Sequence, residues 1–335
     1  MMQTIGPSST ESVERLELLA TVANMYYIEN QDQRDIAISL GVSRSTISRM
    51  ISEAHKLGIV SIRINRPMPV DAELRSRAME RYPLQEALIL ARPLSPTGPI
   101  GIDQVGVLAA NYLGSVLPQN GTLAISWGTS IAAVVEALPE DSSRQIRIVQ
   151  MIGAVGSNQP SVDGAELARS IAKKLGGPYL TLNAPLILDD PLLLKALLRQ
   201  KSVASVLRAA ADADVALIGL GGIDPGVSSI LRAGFSTRRE LLSSASDGAV
   251  GEVGGHMLDR AGNVISTDLS RRMVCLDEPG LRGINSVVAI AVGAAKAEII
   301  NAALLSGIVD VIATDADTMM AVLALSDEQN RDNES

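Results

Sequence analysis

Residues 33–51, Gln-Arg-Asp-Ile-Ala-Ile-Ser-Leu-Gly-Val-Ser-Arg-Ser-Thr-Ile-Ser-Arg-Met-Ile, constrain this chain more than any other stretch. They spell two short helices joined by a tight turn. Ile36, Ala37 and Leu40 share one face of a first helix, Gly41 can leave that helix with positive φ, and Val42 is placed to plug the gap between the helices. Ser43 is a cap for the second helix. From it, Ile47, Met50 and Ile51 repeat at helical spacing toward a core and leave Arg44, Ser45, Thr46, Ser48 and Arg49 outside. That outer set is rich in hydrogen-bond donors and carries no acid. Such a helix suits the major groove of double-stranded DNA, where arginine grips guanine in bidentate fashion and hydroxyls reach bases or phosphates. A solvated helical hairpin would need neither this spacing nor an acid-free face. The predicted DNA contacts are Ser43, Arg44, Ser45, Thr46, Ser48 and Arg49, with Lys56 on a phosphate.

DNA binding occupies a minority of the chain. Its 335 residues suffice for two or three domains, and its formal charge of −8 is unusual for a protein that clamps nucleic acid along its whole length. The imbalance is unevenly shared: residues 1–66 hold seven Lys/Arg and seven Asp/Glu, and the remainder holds 22 against 30. A neutral head predicts modest affinity per head and a need for several heads on one DNA. One cysteine, Cys275, excludes an intramolecular disulfide, and two histidines, His55 and His256, leave little for a zinc site. A cytoplasmic protein without metal or cofactor is expected. No charged-then-apolar leader and no uninterrupted run of about 18 apolar residues is evident, so neither secretion nor membrane spanning is expected. One Trp, five Tyr and one Phe leave little for stacking on single-stranded nucleic acid.

Along the chain, residues 1–10 read as disordered and 11–65 as the DNA-binding domain. Its first helix, capped by Thr10 or Ser12, runs to about Glu29 with Val13, Leu16, Leu19, Ala20, Ala23 and Tyr27 on the buried side. Residues 59–64 alternate as a short strand, and 66–70, with two prolines, form a linker. From 71 to 325 strands and helices alternate, the signature of an α/β domain with a mainly parallel sheet. Strands are predicted at 87–91, 122–126, 146–151, 179–182, 215–220, 287–292 and 309–313. Helices are predicted around 71–81, 101–117, 129–138, 164–175, 191–199, 202–211, 237–243, 294–305 and 315–323. Residues 247–275 read as an inserted hairpin region with a turn at Asp259-Arg-Ala-Gly-Asn263, and 326–335 as a flexible tail.

In open α/β sheets ligands sit beyond the carboxyl ends of strands, where glycine admits close backbone approach and helix N-termini aim amides at anions. Four predicted strands end this way. Ser126-Trp-Gly-Thr-Ser130 offers Gly128, Thr129 and Ser130 to wrap a phosphate; Gly153-Ala-Val-Gly156 and Gly219-Leu-Gly-Gly-Ile-Asp224 follow two more, the latter with Gly221 and Asp224; Gly293-Ala-Ala-Lys296 adds a positive charge at Lys296. A tight turn explains one such end, but four in one domain point to a pocket for a small anion or sugar. There is no Gly-Lys-Ser/Thr, and after Gly219-Leu-Gly-Gly the fingerprint's later glycine is missing, with Asp224 in its place, so a nucleotide cofactor is not expected. Trp127, inside the first of these loops, reads as a core anchor rather than a stacking partner for the ligand.

From about Glu14 to Leu325 the chain resembles the SorC family of sugar-responsive bacterial transcriptional regulators, sometimes grouped under the DeoR name. The resemblance rests on Met25-Tyr-Tyr-Ile-Glu29, the two-helix motif with His55-Lys-Leu-Gly-Ile-Val-Ser-Ile-Arg-Ile64, Ile125-Ser-Trp-Gly-Thr129, Leu231-Arg-Ala-Gly-Phe235 and the helix start at Lys296. It implies a DNA-binding head joined to an effector domain similar to the phosphosugar isomerase and glucosamine-6-phosphate deaminase fold, assembled as a homotetramer, a dimer of dimers. It also implies that Gly128, Thr129, Ser130 and Lys296 bind the anion, that Gly153 to Gly156 and Gly219 to Asp224 form walls, and that Arg232, Asp247 and Glu252 lie near the ligand. The two acids are suited to accept bonds from sugar hydroxyls. His256 is expected to be structural. The expected protein is not an enzyme but a regulator, by default a repressor, of a carbohydrate or polyol operon, answering to a sugar phosphate or polyol. The competing reading is a sugar-phosphate isomerase or deaminase with a DNA-binding head, which would need a general base such as Glu252 or Asp247.

Overall fold

In the computed structural model the described residues are 9–60, 68–92, 101–155 and 160–334, with side chains described from 13 to 327 of these. They divide into two compact units, Met1–Pro67 and Met68–Ser335.

The small unit is three helices, α1 (Ser9–Tyr27), α2 (Gln33–Leu40) and α3 (Arg44–Lys56). Asp32 starts α2 by accepting the amides of Arg34 and Asp35, which holds its carboxyl below the usual carboxylate range. Gly41 ends α2 at φ 65°, and the Val42 amide returns to the Ala37 carbonyl at 3.0 Å. Ser43 then caps α3, its Oγ accepting the Thr46 amide at 3.1 Å. Leu19, Val22, Ala23, Ile36, Ala37, Ile47, Met50, Ile51 and Ala54 form the core. Two expectations fail at the turn: Leu40 and Val42 are exposed, because backbone hydrogen bonds and not an apolar plug close it. On α1, Val13, Leu16 and Ala20 also face outward. Three short helices bury only one stripe of α1, and Leu19, Val22 and Ala23 occupy it, with Val22 taking the i+3 place. The strand predicted at 59–64 lies mostly outside the described residues, as do the predicted disordered N-terminus up to residue 8 and the first part of the linker.

The large unit is built on ten strands: β1 (Glu86–Leu90), β2 (Thr122–Ile125), β3 (Arg147–Gln150), β4 (Tyr179–Leu180), β5 (Val215–Gly222), β6 (Ala249–Val253), β7 (His256–Asp259), β8 (Val264–Ile265), β9 (Val287–Ile290) and β10 (Val311–Asp315). Seven form a parallel array in the order β1-β10-β9-β5-β2-β3-β4. Successive residues along these strands join opposite cores: Ala87, Ile89, Ala216, Ile218 and Ala289 one, Leu88, Leu90, Val215, Leu217 and Val288 the other. Burial on both faces is why the strands other than the exposed edge pair of β4 read as near-continuous apolar runs. The predicted hairpin region is an antiparallel meander, β6 to β8, carried by the end of β5 through Leu220↔Val253 and Gly221↔Glu252.

The predicted linker does not stay free to residue 70. Val70 bridges Leu90, and Asp71 and Ala91 donate to the carbonyls of Ile89 and Pro69, both at 2.8 Å. Nor is 326–334 an irregular tail, for the last helix runs Ala316–Glu334 and buried Ser326 accepts from Arg81 at 2.6 Å. No helix among the described residues is long and apolar enough to cross a membrane.

The chain lays down β2, β3 and β4 outward in one direction, then returns to place β5 on the other side of β2. The connections leaving β2 and β5 therefore diverge and open a crevice at their carboxyl ends. The helix that follows β2, Thr129–Ala137, is fixed there by Gly106, where a Cβ would sit 2.8 Å from the Ala133 backbone. Gly106→Val is expected to push this helix away from the one that carries Gly106, Ile102–Val116, and cost about 1–3 kcal/mol, read as a lowered thermal midpoint with altered Trp127 emission.

Candidate functional site

At that crevice lies a narrow cleft, walled by Ser126–Trp127–Gly128–Thr129–Ser130, Ile152, Gly219–Leu220–Gly221, Ser229, Glu252, Gly254 and Lys296. The sequence-predicted residues Gly128, Thr129, Ser130, Gly221, Glu252 and Lys296 thus converge on one site. Gly128 turns into its helix at φ 113°, a region that disfavours any side chain, and leaves the first-turn amides without intrahelical partners. Gly293 makes the matching turn after β9 at φ 110° and leads to Lys296. Two helix starts and an ammonium group therefore border one space, an arrangement that favours an anion.

The charges are held by the walls. Lys296 Nζ donates to the Leu220 carbonyl at 3.0 Å, and burial, reinforced by the positive charge of Arg232 and opposed by Glu252, pulls its pKa down. Glu252 accepts the Gly255 amide at 2.9 Å, yet burial pushes its carboxyl up to about 7 against that bond and Lys296. Gly221 leaves room for the Glu252 carboxyl, since a Cβ there would stand 2.6 Å from Oε1 and displace it. Ser126 ties β2 to β5 by accepting the Gly219 amide at 3.3 Å. Trp127 is half-buried: it packs with the apolar cluster of Ile152, Ile230 and Leu241 and also faces the cleft. Arg232 is exposed on the short helix Ser229–Arg232 and shares an adjoining lobe with Thr129, Ser130, Gly293 and Lys296.

Other predicted site residues have local duties. Gly153 is a packing glycine, since a Cβ would meet the Pro185 carbonyl oxygen at 2.4 Å, and its amide bonds Val274. Asp224 forms a turn by accepting the Gly226 amide at 2.7 Å. Asp247 is the exposed C-cap of Arg238–Ser246; neither acid lines the cleft. Gly156 lies outside the described residues. His256 Nε2 donates to the Leu276 carbonyl at 2.9 Å, burial depressing its pKa and keeping it neutral. Ser126, Ile152, Ser229 and Gly254 were not singled out by sequence. Ser229 sits three residues before Arg232, and only its neighbourhood signals it. No group of metal-ligating side chains occurs among the described residues.

On α3, Arg44, Ser45, Ser48, Arg49 and Lys56 are exposed, as is Ser43, and Thr46 is half-buried. Ser43 and Thr46 are engaged in the cap, with Ser43 Oγ 2.8 Å from both Ser45 Oγ and Thr46 Oγ1.

The raised pKa of Glu252 has a sign for stability. Below about pH 4.5 the group is protonated folded or unfolded; as pH rises toward about 7 only the unfolded chain ionises, so the stability present at low pH is lost across that window. Glu252→Gln is expected to remove this dependence and to stabilise the protein at pH 8 by roughly 3 kcal/mol, read by urea unfolding at pH 5 and pH 8.

Residues 67–324 match the family model Sugar-bind, described as "Putative sugar-binding domain". The chain is 31% identical over 315 residues to the transcriptional regulator LsrR of Enterobacter sp. (strain 638), a match covering 92% of this chain and 94% of that protein. Against LsrR of Escherichia coli (strain K12) the identity is 30% over 310 residues, with the same coverage. The crystal structure of the full-length sorbitol operon regulator SorC from Klebsiella pneumoniae superposes with a TM-score of 0.68 at 25% identity, covering 92% of this chain and 99% of that one.

Proposed function

Because the chain belongs to the SorC family of sugar-binding transcriptional regulators, we propose that it represses a carbohydrate or polyol catabolic operon and that a sugar phosphate or related polyol in the cleft relieves repression. The observation that carries this reading is the convergence of Lys296, Glu252 and the helix start at Thr129 in one cleft. The helix-start amides and Lys296 take the anion, with Arg232 at its outer side. Glu252 takes a sugar hydroxyl. The reading includes the likeness of the large unit to the phosphosugar isomerase fold and a cytoplasmic location.

On the DNA side, α3 enters the major groove of a palindromic operator. Arg44, Ser45, Ser48 and Arg49 reach base edges, Lys56 reaches a phosphate, and Ser43 and Thr46 order the helix start. A homotetramer, as a dimer of dimers, supplies the several heads that a neutral DNA-binding unit needs. Effector binding then has to bias subunit arrangement by only about 1–3 kcal/mol.

One observation favours an enzyme: a carboxyl pushed up to about 7 suits a general base. His256 is held on the Leu276 carbonyl and Asp247 lies elsewhere, so Lys296 is the proton donor such a base would have to work with. Turnover of sugar phosphates in the absence of DNA would restore that reading.

Arg49→Ala is expected to weaken operator binding about tenfold to a hundredfold while leaving oligomer size and effector affinity unchanged; unchanged operator affinity removes Arg49 from the interface. Thr129→Glu is expected to abolish the effector response and keep DNA binding. A normal response in that variant displaces the anion from this turn.

A further inference from the structure

The turn that carries Lys296 is held from behind. The Gly293 amide donates to Thr318 Oγ1 at 2.8 Å, and Thr318 donates its hydroxyl to Asp315 Oδ2 at 2.5 Å and its amide to Asp315 Oδ1 at 2.9 Å. Thr318 and Asp315 are 1% and 4% exposed, so these bonds lie out of competition with water. A hydroxyl that accepts from one partner and donates to another has no free rotor left, and the position of Gly293 follows from it.

Asp315 is also the last residue of β10 and pairs in register with Leu90 of β1. Leu90 in turn bridges Val70, beside the bonds from Asp71 to Ile89 and from Ala91 to Pro69. Residues 68–71 are where the chain passes from the Met1–Pro67 unit into the large one. A continuous series of hydrogen-bonded neighbours therefore joins the cleft turn to the segment leading to the DNA-binding head.

We propose that Thr318 is the positioning residue of the 293–296 turn and that, through Asp315, it carries occupancy of the cleft to residues 68–71. The inference rests on the cleft being the effector site. Its two-state element is the turn itself: Lys296 either donates to the Leu220 carbonyl, as here, or turns to a bound anion, and Gly293 moves with it. Thr318 converts that movement into a load on Asp315 and the end of β10.

The test is hydrogen exchange on the full chain, with inorganic phosphate as the probe, in the wild type, Thr318→Val and Thr318→Ser. In the wild type and Thr318→Ser, phosphate slows exchange at Thr129 and Ser130 and also at Asp71 and Ala91. In Thr318→Val the slowing at Thr129 and Ser130 persists, while that at Asp71 and Ala91 falls at least fivefold. A merely structural role would raise exchange in both variants without altering the phosphate-dependent difference. Equal phosphate-dependent protection at Asp71 and Ala91 in Thr318→Val, or a Thr318→Ser variant that behaves like it, overturns the proposal. No protection at Thr129 and Ser130 in the wild type overturns the cleft reading, and this inference with it.

Discussion

Between β2 and β5 the chain reverses the direction in which it adds strands, and the position of every cleft residue depends on that reversal. Connections that leave adjacent parallel strands in opposite directions cannot fill the space above the strand ends. Here the gap is bordered by turns rather than side-chain packing, because glycine stands where the backbone has to bend or approach: Gly128 and Gly293 at positive φ, Gly221 under the Glu252 carboxyl. The antiparallel meander on β5 brings Glu252 over the same gap. Residues from distant parts of the sequence meet because one sheet topology leaves them a common crevice.

The cleft is electrostatically mixed, and its two charged groups temper each other. Lys296 is depleted of water and lies near Arg232, which lowers its affinity for its proton, while Glu252 partly restores it. Glu252 is itself driven toward its neutral form by the same loss of water. A bound anion would repay the desolvation of Lys296, and a sugar hydroxyl would offer Glu252 a donor. One small phosphorylated polyol, the occupant proposed above, would supply both partners.

Much of this was legible in the sequence, and the exceptions share a cause. Gly41 and Ser43 act where spacing puts them because helix termini are set by local backbone chemistry. The strands were legible because burial on both faces leaves apolar runs. Burial on α1 was misjudged at Val13, Leu16 and Ala20 because periodicity gives an amphipathic stripe but not how much of it neighbouring helices cover. Glycine-bearing strand ends marked the cleft, yet Gly153 owes its identity to close packing on Pro185, which looks the same in one dimension. Asp224 and Asp247 are polar for turn and cap reasons. Thr318 and Asp315 gave no signal, since a threonine three residues after an aspartate at a strand end reads as an ordinary helix start.

Control of DNA binding by this cleft is the relation on which the proposed regulation rests. Its most direct test is fluorescence anisotropy of the protein on a labelled fragment from upstream of its own gene, at two salt concentrations, with and without a panel of sugar phosphates and polyols. Specific, salt-sensitive binding that one phosphorylated compound weakens at least fivefold is expected, as a coupling of about 1 kcal/mol or more requires. Specific binding that no member of the panel alters, while Trp127 fluorescence reports that a member has bound, would contradict it.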